Sequence, residues 1–398
     1  MKSAMMLGKM LDRRIRTGTL EMQLPDGSLL KTGTGEPYAQ CVISDWPALL
    51  RSIAHPELCV GKTYMDGLWS AGQPGLMPLL ELLMRNFPER VPKGPAKILE
   101  FLRQTFRQLN PVGRSYRNVA AHYEIQDWLY GLFLDADMHY SCAYFDSPER
   151  TLEQAQQRKC ELLAKKLCLQ PGMKVLDIGC GWGGLARHIA GHADVSVTGI
   201  TVSPQQLAEA QRRTQAAGLA HRVRFELADY RQHQGRYDRI VSVGMFEHVG
   251  RPNYRRFFRR LDAMLEADGV AVLHTIGRMG PKGFTNPWIQ RYIFPGGYIP
   301  ALSEIADAME SVPLYTTDIE VLREHYALTL EHWLERYTAH RDTIRERLGE
   351  RFCRMWEFYL ASCAAAFRWR DLVVFQLQFA KRLRSAVPIT RDYLGRAA

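Results

Sequence analysis

From about residue 151 onward, short apolar runs and amphipathic stretches replace one another at near-regular intervals. Lys174–Gly179, Ser196–Val202, Arg222–Ala228, Tyr237–Gly244 and Gly269–Thr275 are apolar runs of strand length. Between them, helical spacing of apolar positions predicts helices that start over Leu185–Ala190 and cover Pro204–Ala217 and Tyr254–Leu265. Strands alternating with helices predict an α/β fold, a doubly wound and mostly parallel sheet with helices on both faces.

Residues 1 to about 115 follow a different rhythm, which predicts a smaller N-terminal α+β domain. Leu20–Leu24 reads as a strand entering the turn Pro25-Asp26-Gly27, and Tyr38–Ile43 as a second strand. Leu76–Phe87 and Ile98–Leu109 are spaced as amphipathic helices, with a break over the proline-rich segment Pro88 to Pro95. The division expected is therefore 1–115 and 116–398. Past Ile276 the alternation stops. Met279–Pro300, rich in proline, glycine and aromatic side chains (Phe284, Trp288, Tyr292, Phe294), reads as a lid-like insertion. With the helical region Leu322–Leu348 after it, the insertion spans about 279–348. Leu372–Phe379 has the alternation of a strand and is expected to close one edge of the sheet.

Composition narrows the partners. Hydrophobic residues at 46% and charged residues at 24% are the balance of a globular protein, and the net charge of +10 favours an anionic partner, nucleic acid or an anionic membrane surface. Lys9, Asp12, Arg13 and Arg14 interrupt the opening stretch, so no secretory leader is expected, and no apolar run approaches bilayer-spanning length. Eight cysteines occur without a CxxC pair or metal-ligand spacing, which points to a reducing, cytoplasmic compartment and no metal site.

The strongest chemical signal is Val175-Leu176-Asp177-Ile178-Gly179-Cys180-Gly181-Trp182-Gly183-Gly184, a strand running through a glycine-rich turn into a helix. Glycines there let backbone approach a ligand. A dinucleotide would suit such a loop as well, but Asp177 inside the strand end and a loop read as lacking the dinucleotide spacing GxGxxG favour a different nucleoside cofactor. Thr201 to Gln206 ends the next strand, with Ser203 as a helix N-cap and Pro204 at the first helical position. Ala228-Asp229-Tyr230 ends the third, where a carboxylate can accept from an adenine amine. Three such strand ends address one crevice. Phe246-Glu247-His248-Val249-Gly250 and His274-Thr275-Ile276-Gly277 end two further strands, and His139-Tyr140-Ser141-Cys142-Ala143-Tyr144 lies upstream.

At these residues the sequence resembles the cyclopropane-fatty-acyl-phospholipid synthase family, which includes the mycolic acid cyclopropane synthases. The resemblance runs from about Tyr64 to Phe379 through HYSCAYF, VLDIGCGWGG, GITVSPQQ, MFEHVG, HTIG, IQRYIFPGGYIP, HYALTLEHW and FYLASCAAAFR. VLDIGCGWGG alone would indicate only a methyltransferase. Phe145 and Phe246 stand where the family often carries other aromatics.

The resemblance implies a Rossmann-like class I methyltransferase that adds a methylene to the cis double bond of an unsaturated phospholipid acyl chain. It implies S-adenosylmethionine contacts at Tyr140, Ser141, Asp177, Gly179, Cys180, Gly181, Trp182, Gly183, Gly184, Thr201, Gln205, Gln206, Asp229, Tyr230 and Phe246. It further implies a bicarbonate ion acting as base, held by Cys142, Glu247, His274, the backbone of Ile276, and Tyr326. Cys363 matches a cysteine historically assigned as active, although this chemistry has no step that needs a covalent enzyme intermediate. Partners expected on the same basis are membrane phospholipid, through peripheral contact with the inner face of the membrane, and a second copy of the chain as a homodimer. Nucleic acid is not expected, since no recognition module and no asparagine-proline-proline-tyrosine-like amine site occurs.

Overall fold

A computed structural model of the chain describes residues 2–88, 108, 127–384 and 386–395. They form two compact units, one within Met1–Lys97, Thr285–Pro295 and Leu330–Leu372, the other within Ile98–Phe284, Gly296–Thr329 and Val373–Ala398. The boundary expected near residue 115 and the helix expected over Ile98–Leu109 lie, except for Gln108, outside the described residues.

The first unit carries a four-stranded sheet of β1 (Gly18–Gln23), β2 (Leu29–Thr34), β3 (Tyr38–Ile43) and β4 (Trp69–Ala71). Its order is β2-β1-β3-β4, with β1 and β3 parallel and both outer pairings antiparallel. The β1–β2 turn is the Pro25-Asp26-Gly27 turn expected from sequence, closed by Gly27 N–H donating to Leu24 O at 2.9 Å. Strand β2 was not legible because LLKTGT is mostly solvent-facing and lacks apolar alternation. Helix Trp46–Ala54 had a readable start: Asp45 caps it by accepting from Ala48 N–H at 2.7 Å, and Pro47 follows. Helix Glu350–Trp369 packs on Pro56–Met65 and Leu76–Asn86.

The second unit is built on seven strands: β5 (Lys174–Ile178), β6 (Ser196–Thr201), β7 (Val223–Leu227), β8 (Tyr237–Val243), β9 (Leu265–Arg278), β10 (Tyr315–Leu322) and β11 (Leu372–Ala380). Their order is β10-β11-β9-β8-β5-β6-β7. Strands β5 to β9 pair in parallel, and β10 runs antiparallel to β11. Both faces are covered. Val175, Val197, Val241 and Val272 face one cluster with Leu163, Ile189 and Ala210. Leu176, Ile200, Ile240 and Leu273 face another with Phe257, Phe258 and Leu261. Neighbouring residues of one strand thus enter opposite cores, which is why these strands read as apolar runs rather than alternations.

Two expectations need correction. Leu372–Ala380 does form a strand, but β10 takes the edge and β11 lies between it and β9, consistent with its nearly continuous burial. The stretch 279–348 is also more than an irregular lid. It holds helices Pro287–Tyr292 and Leu302–Met309 and the edge strand β10, whose sequence YTTDIEVL is too polar to advertise itself.

Candidate active site

The chain leaves β5, winds outward through β6 and β7, then crosses back to β8 on the other side of β5. The reversal opens a crevice at the carboxyl ends of β5 and β8, where open α/β sheets bind ligands. A pocket lies there. Its wall includes Tyr140, Ser141, Asp177, Gly179, Cys180, Gly181, Trp182, Gly184, Thr201, Gln206, Asp229 and Tyr230, all expected from sequence.

The glycine loop shapes the floor. Gly179, Gly181 and Gly183 take left-handed φ values of 83°, 54° and 79°. At Gly183 a Cβ would stand 2.6 Å from the Phe225 ring, so this glycine packs the loop against the sheet without lining the pocket. At Gly181 a Cβ would meet nothing, which leaves open space on the pocket side. The expectation that the loop lacks the dinucleotide spacing GxGxxG is corrected: Gly179, Gly181 and Gly184 satisfy it, so spacing alone does not choose the cofactor. Burial pushes the Asp177 carboxyl up to about 7 despite nearby Lys159 and His139, and its Oδ2 has no hydrogen-bond partner among the described residues. That orphaned acceptor beside a glycine cradle fits a cofactor carrying an amine and a nucleoside.

Ser203 caps helix Pro204–Ala216 as expected, accepting from Gln206 N–H at 3.3 Å. Thr201 Oγ1 donates to Gln206 Oε1 at 2.9 Å, fixing both side chains at the pocket wall. Gln205 turns away from it and accepts from Ser203 Oγ at 3.3 Å. Asp229 lines the pocket as expected, but not as a lone carboxylate. Its carboxylate is clamped by Arg231, with Nε at 2.8 Å from Oδ1 and Nη2 at 2.5 Å from Oδ2. Arg231 itself lines the pocket, so the third strand end presents a neutralised pair rather than a bare carboxylate. Phe246 is wholly buried, stacked on Tyr254 at 4.3 Å and edge-on to Phe257 at 5.0 Å. Met245 and His248, its neighbours, take the wall position that Phe246 was expected to hold.

Beyond the pocket wall, three of the six expected catalytic residues, Glu247, His274 and Ile276, meet at the carboxyl ends of β8 and β9. Val243 and His274 are partners across β8 and β9, and Gly244 N–H donates to His274 O at 2.9 Å. Glu247 Oε1 accepts from Ile276 N–H at 2.6 Å. The Ile276 amide is therefore engaged by Glu247. Burial pushes the Glu247 carboxyl up to about 7, and its Oε2 lacks a partner. Burial also holds His274 well below the usual imidazole range, so the ring is neutral at physiological pH. Gln376 Nε2 lies 3.2 Å from His274 Nδ1 and can only donate to it, which places the ring proton on Nε2. That N–H is buried and unpartnered.

The segment that carries Cys142 is tied to the helix that carries Tyr326. Ala143 N–H donates to Thr329 Oγ1 at 3.0 Å, and Phe145 N–H to His325 Nδ1 at 3.0 Å. Tyr326 and Thr329 are three residues apart on helix His325–Ala339 and share a face. Burial raises the Cys142 thiol, which keeps it un-ionised and unreactive. Cys363 belongs to the first unit, on helix Glu350–Trp369, and burial pushes its thiol up to about 12. A nucleophilic cysteine needs the opposite shift.

Several wall residues had no sequence signal, Arg231 and Lys159 among them. Lys159 faces the pocket from helix Leu152–Lys166 and is fully buried, yet on sequence it resembles any lysine of a charged helix.

Known proteins resemble this chain over most of its length. The description of the mycolic acid cyclopropane synthetase family matches residues 112–377. A cyclopropane-fatty-acyl-phospholipid synthase of Escherichia coli (strain K12) is 37% identical over 341 residues, covering 86% of this chain and 87% of the relative. A tuberculostearic acid methyltransferase of Mycobacterium tuberculosis is also 37% identical, over 396 residues, with 94% of this chain and 90% of the relative covered. Among solved structures, a mycolic acid cyclopropane synthase complexed with SAH and CTAB superposes with TM-score 0.63 at 35% identity, over 67% of this chain and 98% of that one. Coclaurine N-methyltransferase, at 24% identity and TM-score 0.66 over 80% of this chain and 98% of that one, shares the fold.

Proposed function

Because the chain belongs to the mycolic acid cyclopropane synthetase family, we propose that it transfers a methyl group to the cis double bond of an unsaturated phospholipid acyl chain and closes a cyclopropane ring. It is an S-adenosylmethionine-dependent methyltransferase acting on lipid. The observation that carries the ring-closing reading is the pair of buried, unpartnered polar atoms Glu247 Oε2 and His274 Nε2. They sit at the ends of the neighbouring strands β8 and β9, and a buried polar atom without a partner suits a ligand that supplies one.

Glu247, His274, Cys142 and Tyr326 would hold bicarbonate, and the donor set fits a small anion with its own proton. When bound, S-adenosylmethionine supplies an electrophilic methyl and bicarbonate supplies a base. The residues of the chain do the rest. Gln376 fixes the His274 tautomer so that Nε2–H points its donor at the site. Glu247, with its carboxyl near neutrality, can donate or receive a proton from Oε2 while Ile276 N–H holds Oε1 in place. Cys142 stays a neutral thiol and so adds no competing nucleophile beside an alkyl cation.

The tuberculostearic acid methyltransferase, at the same identity as the synthase, favours a second reading in which the transferred carbon remains a branch. Mild catalytic hydrogenation of the product separates them. A cyclopropane lipid is expected to carry one added methylene and to come through unchanged in mass, whereas uptake of two hydrogens would reveal an exocyclic methylene, and a product already heavier by a methylene and two hydrogens would reveal a saturated branch, either of which contradicts ring closure.

Among the described residues no helix is long and apolar enough to cross a membrane. Helix Lys2–Asp12 exposes Met5, Met6 and Met10 beside Lys9, with Arg13 and Arg14 following, a pairing of apolar and cationic groups suited to an anionic bilayer surface. Binding to vesicles of phosphatidylglycerol is expected to fall at least tenfold between about 0.05 and 0.5 M salt. Sedimentation with vesicles that does not respond to salt would contradict an electrostatic contact.

A further inference from the structure

Gln156, Lys159 and Cys160 lie on one face of helix Leu152–Lys166, and all three reach the segment 139–141. Gln156 Nε2 donates to Ser141 O at 2.9 Å, and Lys159 Nζ donates to Ser141 Oγ at 3.1 Å. Cys160 meets a different group, its Sγ lying 3.3 Å from His139 Nε2. The other ring nitrogen, Nδ1, is 2.8 Å from Asp135 Oδ2, and Asp135 Oδ1 accepts from His139 N–H at 2.8 Å. A carboxylate only accepts, so Nδ1 carries a proton and Nε2 is the nitrogen that can take one from the thiol. Thiol, imidazole and carboxylate thus stand in the order that activates a nucleophile. The methyl transfer proposed above gives none of the three a chemical step.

The surroundings favour the thiolate. Burial works against it, but the His139 ring and the Lys159 ammonium outweigh burial and hold the Cys160 thiol below its ordinary range. Burial pushes Cys41 and Cys363 the other way, each up to about 12, and raises Cys142 and Cys180 as well. Cys160 is itself buried, yet His139 lines the cofactor pocket, so a small molecule in the pocket meets the ring with the thiol directly behind it. The space around the ring is already full. A Cβ on Gly184 would stand 2.7 Å from His139 Nε2 and 2.9 Å from Asp137 O. An atom added to Sγ therefore has to move the ring, and with it this part of the pocket wall.

We propose that Cys160, His139 and Asp135 form a peroxide-reactive thiol site behind the cofactor pocket, and that oxidation of Cys160 displaces His139 and weakens cofactor binding. The Cys160 thiolate attacks one oxygen of hydrogen peroxide, an S–O bond forms and the O–O bond breaks. Sulfur is oxidised to a sulfenic acid and peroxide is reduced to hydroxide, which takes the Nε2 proton of His139 and leaves as water. A small thiol reverses the change by reducing the sulfenic acid. The effect on the cofactor rests on S-adenosylmethionine occupying the pocket, whereas the reactivity of Cys160 does not.

The test treats the full chain with stoichiometric hydrogen peroxide, then unfolds it in dimedone, which traps sulfenic acids, and maps the label by mass spectrometry. Cys160 is expected to take the label at least about tenfold faster than any other cysteine, as its thiolate character dictates. Labelling that begins at another cysteine, or none at all, would overturn the proposal. Calorimetric titration with S-adenosylhomocysteine reads the consequence. Peroxide is expected to weaken binding by about tenfold or more, dithiothreitol to restore it, and Cys160→Ala to bind within about twofold of untreated wild type before and after peroxide. Labelled Cys160 with unchanged affinity would overturn the link to the pocket, and so would an equal loss in Cys160→Ala. Should Cys160→Ala fail to fold, Cys160→Ser is expected to behave in the same way. If untreated protein does not bind S-adenosylhomocysteine, the cofactor reading falls, and the labelling alone decides whether Cys160 is the reactive thiol.

Discussion

At pH 7.5, Glu247→Gln is expected to turn over about 100- to 1,000-fold more slowly than wild type, the range typical of losing a positioned acid or base. Its affinity for S-adenosylhomocysteine should stay within about twofold, because Glu247 is not part of the cofactor pocket wall. Glutamine keeps the shape and can still accept from Ile276 N–H through its amide oxygen. What it cannot do is exchange a proton at the second position, where the unpartnered Oε2 now stands. The same substitution has a signature in stability. Burial raises the Glu247 carboxyl from 4.5 to about 7 in the folded protein. The stability this contributes is full below 4.5 and is lost as pH rises through about 7. Glutamine has nothing to lose, so the melting temperature of the variant relative to wild type should climb between pH 5 and pH 8. Stopped-time product assays and melts at those two pH values check both halves. Wild-type turnover in the variant would remove Glu247 from the proton-transfer account.

Gly183→Val should lower the melting temperature by about 4–20 °C. A β-branched residue at φ 79° costs about 1–2 kcal/mol, and forcing its side chain into the buried Phe225 ring adds about 1–3 kcal/mol. At about 2–4 °C per kcal/mol for a domain of this size, the sum gives that range. Gly181→Val provides the contrast. Its φ is 54° and its Cβ would meet no atom within 4 Å, so the fold bears only the backbone strain. The new side chain instead enters the pocket that Gly181 lines, and cofactor affinity should fall while the melting temperature drops by no more than about 4–8 °C. Reversal of the two phenotypes would show that the loop faces the other way.

What could be read from the chain, and what could not, divides along physical lines. The glycine loop and the Ser203-Pro204 helix start are local signals carried within a few residues, and the structure places both where they were expected. The parallel strands were legible because burial on two faces makes them apolar throughout. Interactions that join distant or unremarkable residues left no trace. His274 owes its tautomer to Gln376, 102 residues away. Asp229 looked like a free carboxylate at a strand end, yet a turn of two residues brings Arg231 onto it in a bidentate pair. Lys159 and Lys166 look alike in sequence, and only the tertiary fold gives one of them two carboxylates and the other a hydroxyl. Strand β10 escaped notice because an edge strand needs few apolar side chains to pair with its neighbour.

The central claim is methyl transfer to a lipid double bond, and mass spectrometry of the lipid tests it most directly. Purified protein is incubated with S-adenosylmethionine, bicarbonate and vesicles whose phospholipids carry monounsaturated chains. The account predicts that those phospholipids gain the mass of one methylene, that fully saturated phospholipids in the same vesicles gain nothing, and that the gain vanishes without S-adenosylmethionine. Unsaturated phospholipids of unchanged mass, in protein shown to bind S-adenosylhomocysteine, would contradict the assignment of the substrate.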